Sequence, residues 1–117
     1  MRTLLWLDDI RDPQSSTWKY WLESNIPFLD RYEVIWVKTC KEFQNYIKII
    51  KMPDVVCFDH DLGTDESGFD AAKWLTEYCM DNNSKLPEWY IQSANPVGSI
   101  NINSLLNSFK RFIEYYN

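Results

Sequence analysis

The chain has 117 residues, 45% of them hydrophobic, with six Trp, seven Tyr and six Phe; that is the size of one domain, residues 1–117, able to bury a core without disulfide or metal staples. A net charge of −5 disfavours non-specific DNA binding, and none is expected, because that affinity comes from Lys and Arg neutralising phosphates. The charge leaves room for a phosphate ligand held through a metal ion, and for a basic partner protein.

No run of about 18 apolar residues occurs, so no membrane span is expected. "MRTLLWLDD" turns acidic too early for a secretory signal, and the expected location is the cytoplasm. The three cysteines, Cys40, Cys57 and Cys79, lack the spacing of a zinc site or a disulfide framework. They read as reduced, buried, small apolar side chains.

In chain order, "TLLWL" at 3–7 is a short apolar run that ends in Asp8-Asp9, the pattern of a strand buried on both faces. "STWKYWLESN" at 16–25 carries Trp18, Trp21 and Leu22 at helical spacing, with Pro13 and Pro27 on either side. "YEVIWVK" at 32–38 is rich in β-branched and aromatic residues and reads as a second strand. Thr39 to Glu42 has capping-box spacing, and Phe43, Tyr46, Ile47 and Ile50 then mark one helical face before Met52-Pro53.

"DVVCF" at 54–58 is a third strand. Ser67 is the expected N-cap of a third helix, 67–82, whose face is Phe69, Ala72, Leu75 and Cys79, with Trp74 beside it. Pro87 opens a fourth strand, "EWYIQS". Ile102, Leu105, Leu106, Phe109, Phe112, Ile113 and Tyr116 stripe a C-terminal helix. Strands that alternate with helices imply βαβ units, and right-handed crossovers leave few topologies. The expected fold is an α/β three-layer sandwich: a parallel four-stranded sheet in the flavodoxin-like order 2-1-3-4, with about four helices.

In such a sheet, ligands bind beyond the carboxyl ends of the strands at the switch point, here between strands 1 and 3. Asp8-Asp9 ends the first of these and Asp59-His60-Asp61 the second. Adjacent strands lie about 4.8 Å apart, so the two acidic ends can share a site. Unpaired carboxylates would repel and raise one another's pKa, and a hard divalent cation such as Mg²⁺ (or Mn²⁺) removes that conflict. Each segment taken alone also fits ordinary turn and capping chemistry; Asp61 reads as turn chemistry leading into Leu62-Gly63. After strand 4, "QSANPVG" places Ser93 and Asn95 at the same end, with Pro96 and Gly98 in a tight turn before the last helix. A helix N-terminus attracts phosphate, and Arg11 can offer a bidentate phosphate contact.

"LLWLDDIRDP", "CFDHDLGTDESGFDAAKWL" and "IQSANPVGSINI" together resemble, in order and spacing, the cyclic-phosphate-processing receiver-like domains, a family of bacteria and their phages similar to response-regulator receivers. The resemblance spans nearly the whole chain. It implies that Asp8 and Asp9 are the acidic pair of a receiver, Asp59 its phosphoacceptor aspartate and Ser93 its Ser/Thr. The receiver lysine has no counterpart, since no fifth strand is expected and Lys110 falls within the last helix. Gln92 stands where family members commonly have histidine, which leaves His60 as the single imidazole.

The leading expectation is a phosphoesterase acting on a cyclic phosphate of a small molecule or an RNA end. In it Asp8, Asp9 and Asp59 hold the metal, Asp59 and His60 are catalytic, and Arg11, Ser93, Asn95 and Gly98 bind the substrate. The alternatives are a non-catalytic receiver-like binding module, or a phage protein with a degraded site whose acidic surface binds a host protein in the host cytoplasm.

Overall fold

In the computed structural model the described residues are 1–116, with the side chain of Tyr116 and all of Asn117 outside the description. The elements run β1 (Arg2–Leu7), α1 (Ser16–Asn25), a single 3-10 turn (Leu29–Arg31), β2 (Tyr32–Val37), α2 (Cys40–Ile49), β3 (Val55–Phe58), α3 (Gly68–Asp81), β4 (Glu88–Ile91) and α4 (Pro96–Tyr116). All strand pairs are parallel and the order is β2-β1-β3-β4, as the pattern of the sequence requires. Among the described residues no fifth strand follows β4, and no helix is long and apolar enough to cross a membrane.

The central strands β1 and β3 are buried on both faces, which is why they read as unbroken apolar runs. Their side chains alternate between two cores. Leu5, Leu7, Val56 and Phe58 meet Phe43 and Ile47 of α2, Ala72, Leu75 and Cys79 of α3, and Ile102 and Leu106 of α4. Leu4, Trp6, Val55 and Cys57 meet Leu22, Ile26 and the half-buried Trp18 and Trp21 of the α1 side. The layers are therefore α1, the sheet, and the three remaining helices.

Caps set the helix starts. Ser15 accepts from the Trp18 N–H, and Thr39 accepts from the Glu42 N–H. Glu42 reaches back to the Lys38 N–H at 2.9 Å, one residue earlier than an ideal capping box. Ser67 and Asp70 form the full reciprocal box at α3.

The helical faces differ from expectation at their ends. Ile50 is 63% exposed because α2 stops at Ile49 and Ile50 is already its C-cap. Phe112 is half exposed: at 21 residues, α4 runs about 31 Å past strands of four residues. Of the expected stripe, Ile102, Leu106 and Phe109 are buried and Leu105 and Ile113 pack against them, while Tyr116's side chain lies outside the described residues. All three cysteines are buried and unpaired.

Candidate metal and phosphate site

The backbone pairing of β1, β3 and β4 is carried one residue past each strand's end, and this sets the acidic residues side by side. The Asp8 N–H donates to Val37 O (3.1 Å), the Asp59 N–H to Leu7 O (2.9 Å) and the Gln92 N–H to Phe58 O (3.0 Å). Asp8 Oδ1 accepts from the Ile10 and Arg11 N–H groups (3.0 and 2.8 Å), which turns the chain sharply after β1. Two indole N–H groups pin the same turn: Trp36 Nε1 donates to Asp8 O (2.7 Å) and Trp6 Nε1 to Arg11 O (2.8 Å). The sequence places Trp6 in a buried strand and leaves Trp36 open between core and interface, with no role at the site for either. A Trp two residues before the acidic pair is the signal that could have given one.

Asp8, Asp9 and Asp59 each bring one carboxylate oxygen to within 4.8 Å of the others. Asp8 is fully buried and Asp59 is 3% exposed. Burial, and then the Asp8 carboxylate, push Asp59 up to about 6, against the pull of Arg11. Arg11 Nη1 lies 3.3 Å from both Asp8 Oδ2 and Asp59 Oδ1, and its guanidinium carbon sits 5.1 Å from the centre of the Trp18 ring. Three hard oxygen donors in a cluster that strains one of them is a donor set that fits Mg²⁺ or Mn²⁺.

A cleft of about 260 Å³ opens over this cluster, lined by Asp9, Ile10, Arg11, Asp59, Asp61 and Ala94. A larger hollow of about 580 Å³ runs along α1 and the 3-10 turn and includes none of Asp8, Asp9 and Asp59; the chemistry of the donors, not the size of the cavity, marks the site.

Of the remaining expected residues, His60 and Asn95 meet Asp61, at the edge of the cleft. His60 Nδ1 is 2.9 Å from Asp61 Oδ1, and this contact holds the Asp61 carboxyl below its usual range. Asn95 Nδ2 reaches toward Asp61 Oδ2 at 3.4 Å. Asp61, expected to be turn chemistry, is thus the partner of the single imidazole.

Pro96 and Gly98 do not form a tight turn before the helix; they are its first turn. Asn95 is its cap, and Asn95 Oδ1 accepts from the Gly98 N–H (2.9 Å). Ser93 Oγ accepts from the Asn95 N–H (3.0 Å). Ser93 Oγ and Asn95 Oδ1 therefore order the start of α4, while Asn95 Nδ2 faces Asp61 and His60. Gly98 has a steric reason: a Cβ there would run into the His60 ring. Gly68 has a similar one, since a Cβ would strike the Asp59 carbonyl where the Gly68 N–H donates to His60 O (2.7 Å).

Gln92 is 5% exposed; its Nε2 donates to Leu7 O (3.1 Å) and its Oε1 has no partner. Lys110 lies 14 residues after Pro96 on α4, about 21 Å along the helix, beside Lys85 and Trp89 in a separate groove.

A family profile described as the cyclic-phosphate processing receiver domain matches residues 3–108. No curated protein matches the sequence. Among solved structures, the chain is similar to a fusion carrying amino acids 181–211 of the yeast Spc42 trimeric coiled coil, with 19% identity and a TM-score of 0.55 over 89% of this chain; the chain spans 61% of that fusion. It is also similar to the N-terminal domain of a response regulator/sensory box/GGDEF three-domain protein from Carboxydothermus hydrogenoformans, with 16% identity and a TM-score of 0.49 over 97% of this chain and 98% of that one. A response regulator receiver domain protein from Clostridium thermocellum matches at 20% identity and a TM-score of 0.45, over 96% and 99% of the two chains.

Proposed function

The chain belongs to the cyclic-phosphate processing receiver domain family, and on that premise we propose that it is a metal-dependent phosphoesterase that opens a cyclic phosphate on a nucleotide or an RNA end. The observation that carries the reading is the convergence of Asp8, Asp9 and Asp59 within 4.8 Å at the sheet's switch point. A divalent ion held there would neutralise the carboxylates and polarise a phosphoryl oxygen.

The protein's own groups supply the rest. Arg11 lines the cleft and offers N–H donors to an anionic phosphate. His60, oriented through Nδ1 by Asp61, leaves Nε2 to move a proton. Opening the ring breaks one P–O bond: the hydroxyl of a water ends on phosphorus, and its proton, relayed through His60 Nε2, ends on the ribose oxygen that departs. The small, shallow cleft favours a substrate gripped by its phosphate and not by a buried base, as the end of an RNA would be. The test is release of a 2′- or 3′-phosphate from a 2′,3′-cyclic nucleotide with Mg²⁺. Turnover that chelator and Asp59→Asn both abolish supports the reading, and absence of turnover in the unmutated chain refutes it.

A second reading rests on Asp59 at the end of β3: a receiver-type module whose Asp59 accepts a phosphoryl group and presents a surface to a partner, including a host protein if a phage encodes it. Lys110 in its separate groove is remote from this aspartate, which weighs against an ordinary receiver switch. Labelling by a small-molecule phosphodonor, seen as the mass of one phosphoryl group lost in Asp59→Asn, tests it.

A further inference from the structure

Arg11 sits where a metal ion's charge is needed. One of its nitrogens bridges Asp8 Oδ2 and Asp59 Oδ1, at 3.3 Å from each. The arrangement is built from several sides. The Arg11 N–H is tied to Asp8 Oδ1 and its carbonyl to the Trp6 indole, so the side chain starts from a fixed base. Its guanidinium lies against Trp18, a cation–π contact that guides it over the carboxylates. It is also 26% exposed on its side chain, so its charged end has open space beside it in the cleft it helps to line.

We propose that Arg11 is a built-in counter-cation that competes with the divalent ion for Asp8 and Asp59. The inference rests on the metal reading above. A guanidinium 3.3 Å from Asp8 Oδ2 and Asp59 Oδ1 and a metal held by the same carboxylates repel each other, since both are positive and both draw on the same negative charge. Metal entry therefore drives the guanidinium off them. The group displaced remains at the rim of the cleft, tethered at a pinned backbone, and becomes free to pair with an anionic phosphate. The competition imposes an order: the cation first, then the phosphate. It also makes the affinity of the site for Mg²⁺ lower than three carboxylates alone would give.

Calorimetric titration with Mg²⁺ in the absence of phosphate tests this on the unmutated chain, Arg11→Met, and Lys73→Met, which removes one positive charge from an exposed position on α3. The expected result is tighter binding by Arg11→Met, on the order of fivefold to a hundredfold, with Lys73→Met close to the unmutated chain. Equal or weaker binding by a folded Arg11→Met overturns the competition and leaves the metal reading standing. No binding by any of the three overturns the metal reading, and the competition with it. A second measurement needs no mutation. The Arg11 Nε–H resonance in a ¹⁵N correlation spectrum should move saturably with Mg²⁺, and a resonance that stays fixed while the metal binds overturns the proposal.

Discussion

Asp59→Asn should stabilise the metal-free protein, although it removes the residue most central to the site. Asp59 is 3% exposed and faces Asp8, and its pKa is raised from 3.8 to about 6. The native state therefore holds its proton more tightly than the unfolded chain does. Any stability tied to that proton is fully present below about pH 4 and lost as the pH rises through about 6. Above pH 7 the ionised carboxylate costs about 3 kcal/mol relative to an unperturbed one. An amide of the same shape removes that cost, which already includes the Arg11 attraction, and burying its own N–H donors beside Arg11 takes back about 1 kcal/mol. The net gain of about 2 kcal/mol corresponds to about 8 °C in Tm for a chain of this length. Thermal melts in chelator from pH 4 to 8 check both parts. The unmutated protein should lose stability between pH 4 and 6 while Asp59→Asn lacks that fall, and added Mg²⁺ should stabilise the unmutated protein far more than the variant. Equal or lower stability of the variant at pH 8, or parallel pH curves, would refute the electrostatic account of the site.

Gly98→Ala should displace the His60 ring from the first turn of α4, destabilising by about 1–3 kcal/mol and shifting the His60 ring resonances, with Mg²⁺ affinity unchanged; unmoved resonances would contradict the packing. Asp61→Asn removes the carboxylate beside His60 Nδ1. Turnover of a cyclic phosphate should fall about tenfold or more, and metal binding should persist; unchanged turnover would deny Asp61 a part in orienting His60. Leu106→Ala empties a fully buried position where α4 meets the sheet and should cost about 2–5 kcal/mol in urea melts, with a smaller loss showing that α4 repacks.

Where packing and period agree, the sequence was sufficient. β1 and β3 stand out because burial on both faces makes them continuously apolar, and alternation with helices then leaves the order β2-β1-β3-β4 as the natural one. The convergence of Asp8, Asp9 and Asp59 follows from the same topology, since it needs only strand ends and their spacing.

What the sequence did not reveal depends on side-chain direction. Ser93 and Asn95 lie at the right end of β4, yet Ser93 Oγ and Asn95 Oδ1 order the start of α4 while Asn95 Nδ2 reaches toward Asp61, and position along the chain does not say which way an amide turns. Asp61 resembled a turn residue because pairing with a neighbouring histidine leaves no periodic trace. Arg11 was expected to meet a phosphate; its place between two carboxylates comes from a turn closed by Asp8 and an indole donor from within the strand. Ile50 was assigned to a buried face because a hydrophobic pattern does not record that the helix has ended.

The central claim is that Asp8, Asp9 and Asp59 form a divalent-cation site under a phosphate-binding cleft. Diffraction at the manganese edge from crystals soaked with Mn²⁺ and a non-hydrolysable phosphate analogue tests it most directly. The account predicts an anomalous peak within about 2.3 Å of oxygens from these carboxylates, with the Arg11 guanidinium moved off them and against the phosphate. A cleft without an anomalous peak at saturating Mn²⁺, with Arg11 still bridging Asp8 and Asp59, would contradict it.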